Sequence, residues 1–128
     1  MAANLNHLNP ELHQGTYVFT SVPVDVDVSN LNIVASVRES EGLTLVLPEE
    51  EAIQNGFQIQ FPCSWITLGL ESALNSVGLT AAFATALAAR SIPCNIIAGA
   101  HHDHLFVPQE QAEAAIQCLA EVQFEQKE

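Results

Sequence analysis

The chain has 128 residues, 48% hydrophobic and 14% charged, and its 15 acidic against 3 basic residues give a formal net charge of −12. That is core material for one domain or two small units, not the composition of a disordered segment. Only Arg38, Arg90 and Lys127 are cationic, which excludes the phosphate neutralisation that nucleic acid requires and attraction to an anionic membrane surface.

Asn, Arg or Pro interrupts every apolar run well before the ~18 residues of a membrane span. The start, MAANLNHLNPELHQG, lacks the basic end and apolar block of a signal peptide, so a cytoplasmic protein is expected. Cys63, Cys94 and Cys118 are odd in number and far apart, which predicts buried free thiols in a reducing compartment.

In chain order, Leu5, Leu8 and Leu12 recur at helical spacing and predict a short docking helix. Residues 16–22 (TYVFTSV) are β-branched and aromatic and predict a strand. PVDVDVSN at 23–30 alternates, placing Asp25 and Asp27 on one face and three valines on the other. Strands are expected at 33–38 and 43–47, then a short acidic helix at 49–54 opened by Pro48 and stopped by Asn55-Gly56. FQIQF at 57–61 alternates as a further strand that Pro62 ends, and WITLGL at 65–70 starts another.

After the turn at Asn75, Ser76 and Gly78 comes an alanine-rich helix reaching Arg90, with Leu79, Phe83, Ala86 and Leu87 on one face. Strands at 94–100 and 105–107 flank a histidine corner, His101, His102, Asp103 and His104, and Pro108 opens a last helix before a short strand at 122–124.

Two stretches are alike. IVASVR, a polar corner and LTLVLPEEEA match IIAGAH, a polar corner and HLFVPQEQA, with Pro48 and Pro108 in equivalent places. Such repetition marks two copies of one structural unit. The second reads β-α-β-β-α with a short last strand, the ferredoxin-like order, and the first lacks its first helix. An α+β architecture of two tandem units follows, over residues 1–62 and 63–128.

Three constellations could carry function. At Asn75–Gly78 a cap residue, a glycine that lets backbone approach a ligand, and free helix N–H groups suit a carboxylate; an ordinary helix cap is the alternative. Asp25 and Asp27 are weaker candidates for a cationic group, against a pair of solvated carboxylates. His101, His102 and His104 are weak metal candidates, because neighbouring strand residues point to opposite faces; a polar hairpin corner is the alternative. GxSxG, HExxH, a Cys-His signature and a Gly-rich phosphate loop are all absent from the sequence, so no enzyme and no cofactor are expected.

The phrases YVFTSV, EGLTLVLP, SWITLGLESALNSVGLTAAF and HHDHLFVP resemble a bacterial family of small tandem ACT-domain proteins, similar in architecture to arginine-sensing ACT proteins. The resemblance covers residues 10–119. It implies a regulatory or sensor module that binds an amino acid between paired modules, as a homodimer and without chemistry. It further implies a ligand site at Asn75, Ser76, Val77, Gly78 and Leu79, with Ile97 and Ala98 on the neighbouring strand. The rival readings are a metal-dependent enzyme built on the histidine corner and a purely structural pairing module.

Overall fold

The structure, a computed structural model, describes residues 5–125. Its elements are β1 (Leu5–His7), β2 (Pro10–Leu12), β3 (Tyr17–Val22), β4 (Ala35–Glu39), β5 (Gly42–Pro48), α1 (Glu49–Gln54) and β6 (Gln60–Leu68). There follow α2 (Leu79–Ala89), β7 (Asn95–Ala98), β8 (Asp103–Pro108), a 3-10 turn (Gln109–Gln111), α3 (Ala112–Glu121) and β9 (Gln123–Glu125). The chain divides into two compact units: residues 15–63, and a discontinuous unit in which residues up to 14 join those from 64 onward.

In the 15–63 unit the antiparallel order is β4-β5-β3, followed by the first residues of β6 against β3. Val18, Leu45, Leu47 and Ala52 are fully buried, each large apolar side chain contributing ~1.5–3 kcal/mol. No helix separates β3 from β4, as the sequence predicts; Val26, Val28, Leu31 and Ile33 pack on the core there instead. The alternating reading of 23–30 is corrected in detail. Backbone bonds from Val26 to Pro23 and from Leu31 to Val28 make successive turns, so Val26 and Val28 turn inward while Val24 stays 59% exposed.

Pro62 does not end a strand. Residues 60–68 form one strand, and Phe61, at φ 51°, sits where the register against β3 shifts between Tyr17 and Phe19. A bulge of this kind leaves one residue out of the ladder, so a proline that donates no hydrogen bond is tolerated.

The discontinuous unit has the βαββα order β6, α2, β7, β8, α3. α2 and α3 pack over a core of Leu8, Ile66, Leu68, Leu79, Phe83, Leu87, Leu105, Val107, Ala115 and Leu119. Leu79, Phe83 and Leu87 are the buried stripe of α2 that the periodicity predicts. The last strand lies at Gln123–Glu125 and pairs with β1.

The N-terminal helix expected from Leu5, Leu8 and Leu12 is replaced by β1 and β2. Asn9 takes φ 52°, outside the right-handed helical region, and β2 pairs with Ile66, Thr67 and Leu68 of β6. Leu8 is fully buried whereas Leu12 is 47% exposed; one helical stripe would have buried both.

The internal repeat is a register. Ala35↔Val46, Ser36↔Leu45, Val37↔Thr44 and Arg38↔Leu43 in the first hairpin recur, each shifted by sixty positions, as Asn95↔Phe106, Ile96↔Leu105, Ile97↔His104 and Ala98↔Asp103 in the second. Pro48 (φ −58°, ψ 138°) and Pro108 (φ −55°, ψ 140°) end the two hairpins in the same conformation.

Candidate functional site

Between the end of β6 and the start of α2 the chain makes an exposed loop, and behind it lies a cavity of about 60 Å³. Ser72, Ala73, Leu74, Ser76, Leu79 and Thr80 line it from the loop and the first turn of α2, and Ala98, Gly99 and Asp103 from the β7–β8 hairpin.

α2 starts at Gly78, which takes φ 92° and offers no side chain as a cap. Neither Asn75 nor Ser76 caps the helix, contrary to the sequence reading; Ser76 N–H bonds Ala73 O at 3.0 Å, closing a turn ahead of the helix start. The first helical bond runs from Ala82 N–H to Gly78 O, so the N–H groups of residues 79–81 precede it at the positive end of the helix dipole.

Asp103 is the charged group of the cavity and is 6% exposed. Ser72 Oγ donates to its Oδ2 at 3.3 Å, and Ser72 N–H donates to His101 O at 3.0 Å, fixing the loop to the hairpin. A carboxylate held this far from water is costly unless opposite charge or further donors meet it.

Of the residues expected at this turn, Ser76, Leu79 and Ala98 line the cavity. Asn75 and Val77 point to solvent, Val77 at 90% exposure, Gly78 supplies only backbone geometry, and Ile97 pairs with His104 across the hairpin. The other lining residues, Ser72, Ala73, Leu74, Thr80, Gly99 and Asp103, are not among those the sequence points to. Asp103 carried a usable signal: with β8 extended back to it, Asp103, Leu105 and Val107 alternate onto the helix-facing side.

Asp25 and Asp27 lie outside this cavity and are exposed; Ser29 N–H donates to Asp27 Oδ1 at 2.9 Å and closes a turn, and the Ser29 hydroxyl first, then this N–H, hold the Asp27 carboxyl below its usual range. The three metal candidates part company. His101 meets Glu71 at 3.1 Å on the surface, His102 keeps a buried Nδ1 without a partner, and His104 turns to Trp65 and Thr67. Among the described residues no three metal-ligating side chains converge.

Two models of the ACT domain match the sequence, over residues 3–64 and 60–121. The chain is a tandem ACT-domain protein. Among solved structures this ACT protein is similar to a Vibrio cholerae protein of unknown function, described as a possible transport protein, at 48% identity and TM-score 0.84, over 90% of this chain and 89% of the other. Agrobacterium tumefaciens Atu0741 shares the fold at 17% identity and TM-score 0.73, over 90% and 88%. So does the regulatory subunit of aspartate kinase from Thermus thermophilus, at 11% identity and TM-score 0.62, over 97% of each chain. No curated protein matches the sequence. ACT domains are typically amino-acid-binding regulatory modules, and no helix among the described residues is long and apolar enough to cross a membrane.

Proposed function

We propose that this tandem ACT protein is a non-enzymatic sensor that binds a small amino acid in the cavity beside α2 and acts as a homodimer in the cytoplasm. The observation that carries the reading is Asp103, 6% exposed on the wall of a cavity that the uncapped start of α2 also lines. A buried carboxylate suits an ammonium or other cationic group, and helix N–H groups suit a carboxylate, so a zwitterion satisfies both. Serine and threonine hydroxyls at Ser72, Ser76 and Thr80 supply further hydrogen bonds.

Size narrows the ligand. About 60 Å³ is several times the ~10–15 Å³ one water needs and far below the ~300 Å³ of a drug-sized site. The head group of an amino acid fits inside; a long side chain has to extend outward. Leu74, 72% exposed, and Val77, 90% exposed, leave apolar surface beside the cavity for a second copy to cover.

A thermal-shift screen tests the reading, using the twenty amino acids, the matching amines and the matching 2-oxo acids at millimolar dose. A ligand that binds only the folded state raises the melting temperature by mass action. At least one amino acid is expected to do so, with its amine and its oxo acid each weaker. No shift with any amino acid, or an equal shift with the oxo acid, sinks the proposal.

A further inference from the structure

A second polar cluster lies outside the cavity, and neither the fold nor the sensor reading uses it. His13, just after β2, stacks on Trp65 with ring centroids 3.5 Å apart and planes 9° apart. Its Nε2 lies 2.7 Å from Thr67 Oγ1, which lies 3.0 Å from His104 Nδ1, and Trp65 Nε1 lies 3.1 Å from that same Nδ1.

The indole N–H can only donate, so His104 Nδ1 must accept and carries no proton. His104 is therefore neutral, with its proton on Nε2. The Thr67 hydroxyl can share the single Nδ1 lone pair of His104 as a second donor, and its oxygen then accepts from His13 Nε2–H. Protonation of His13 at Nδ1 leaves that scheme intact. Protonation of His104 at Nδ1 does not: an N–H then faces the indole N–H, and Trp65 loses its acceptor.

We propose that His104 is the proton-sensitive element of a latch that holds the segment around His13 on β6 in the neutral state and loosens it in acid. The backbone part of the attachment is the β2–β6 ladder and the bond from His13 N–H to Trp65 O at 2.9 Å. The side-chain part is the stack on the indole that His104 orients, and the relay from His13 through Thr67 to His104. The charged and titratable groups acting on the pair are His13, His102 and Asp103 for His104, and Glu11 for His13. Across the hairpin His104 faces Ile97, which has no charge. Burial, His13 and His102 lower the pKa of His104 while Asp103 opposes them; burial lowers that of His13 against Glu11.

Trp65 is the sole tryptophan, so the indole N–H gives one cross-peak in a proton–nitrogen NMR spectrum. In the wild-type chain that peak is expected to move between pH 8 and pH 5 with the midpoint of the His104 ring, below 6.5. Protection of the His13 amide from exchange, corrected for intrinsic pH dependence, is lost over the same interval. His104→Asn keeps a neutral acceptor near Nδ1 and should make both readouts flat, whereas His13→Gln should leave the indole titration in place. An indole peak that is flat in the wild type, that still titrates in H104N, or that moves only as far-UV circular dichroism collapses overturns the latch. Loss of the titration in H13Q also overturns it, by assigning the switch to His13.

Discussion

Asp103 occupies in the second hairpin the position that Leu43 occupies in the first, sixty residues earlier: Leu43 is opposite Arg38, and Asp103 opposite Ala98. One backbone frame thus accepts either an apolar or an acidic side chain at this point, and the cavity adjoins the acidic copy. Asp103→Leu should therefore fold, with a thermal midpoint near that of the wild type. If Asp103 receives the cationic group, the charge-assisted bond lost is ~1.5–3 kcal/mol, roughly tenfold to a hundredfold in affinity. Calorimetric titration with the best amino acid from the screen measures it; unchanged affinity would place the ligand elsewhere.

Leu8 and Leu12 give a direct test of strands against helix at the N-terminal segment. Leu8 is fully buried in the core of the discontinuous unit and Leu12 is 47% exposed. Leu8→Ala should cost about 2–5 kcal/mol in urea unfolding, and Leu12→Ala under about 1 kcal/mol. Equal costs would restore a single helical stripe.

Thr20 carries a buried hydroxyl with no hydrogen-bond partner and is 2% exposed. Replacing such a hydroxyl by a methyl of the same shape removes a desolvated group that gains nothing in return. Thr20→Val is expected to be neutral or stabilising by up to about 1 kcal/mol, read from the shift in the urea midpoint at constant slope. A loss of more than about 1 kcal/mol would mean that the hydroxyl has a partner, such as a bound water.

Stability should fall at both ends of the pH scale for identifiable reasons. His13 and His104 are held below 6.5, chiefly by burial, so the unfolded chain binds more protons as the pH drops. Their contribution is complete above 6.5 and is lost as the pH falls through the folded values. Cys63, pushed up to about 12, and Cys94, pushed up to about 11, both by burial, have the opposite sign. Their contribution is present below the ordinary thiol value of 9 and declines above it. Urea midpoints measured from pH 5 to pH 10 should peak between about 7 and 9, and Cys63→Ala with Cys94→Ala should flatten the alkaline limb.

The sequence carried the hairpins, the two prolines and the buried stripe of α2, because each rests on local periodicity or on one residue's fixed dihedral. Leu79, Phe83 and Leu87 could be placed without knowing what they touch. The N-terminal strands could not, since Leu8 is buried by the far part of the chain and Asn9 must take a positive φ to allow it. Pro62 misled because a bulge at Phe61 absorbs it, and bulges leave no mark in a hydrophobic pattern. At the site, Ser76, Leu79 and Ala98 were legible from the turn. Asp103 sits in a run of histidines that reads as a polar corner, and its inward alternation with Leu105 and Val107 appears only once β8 is extended back to it.

The split of one unit around the other has a consequence for synthesis. Residues 15–63 form a compact unit within one continuous segment, so it can condense while the ribosome is still making the rest. Leu8 has no such option: its core partners, from Ile66 to Leu119, all come later. β2 must therefore wait, unpaired, for β6, and β1 for β9, and the closure that seats β1 against β9 is the most non-local pairing among the described residues.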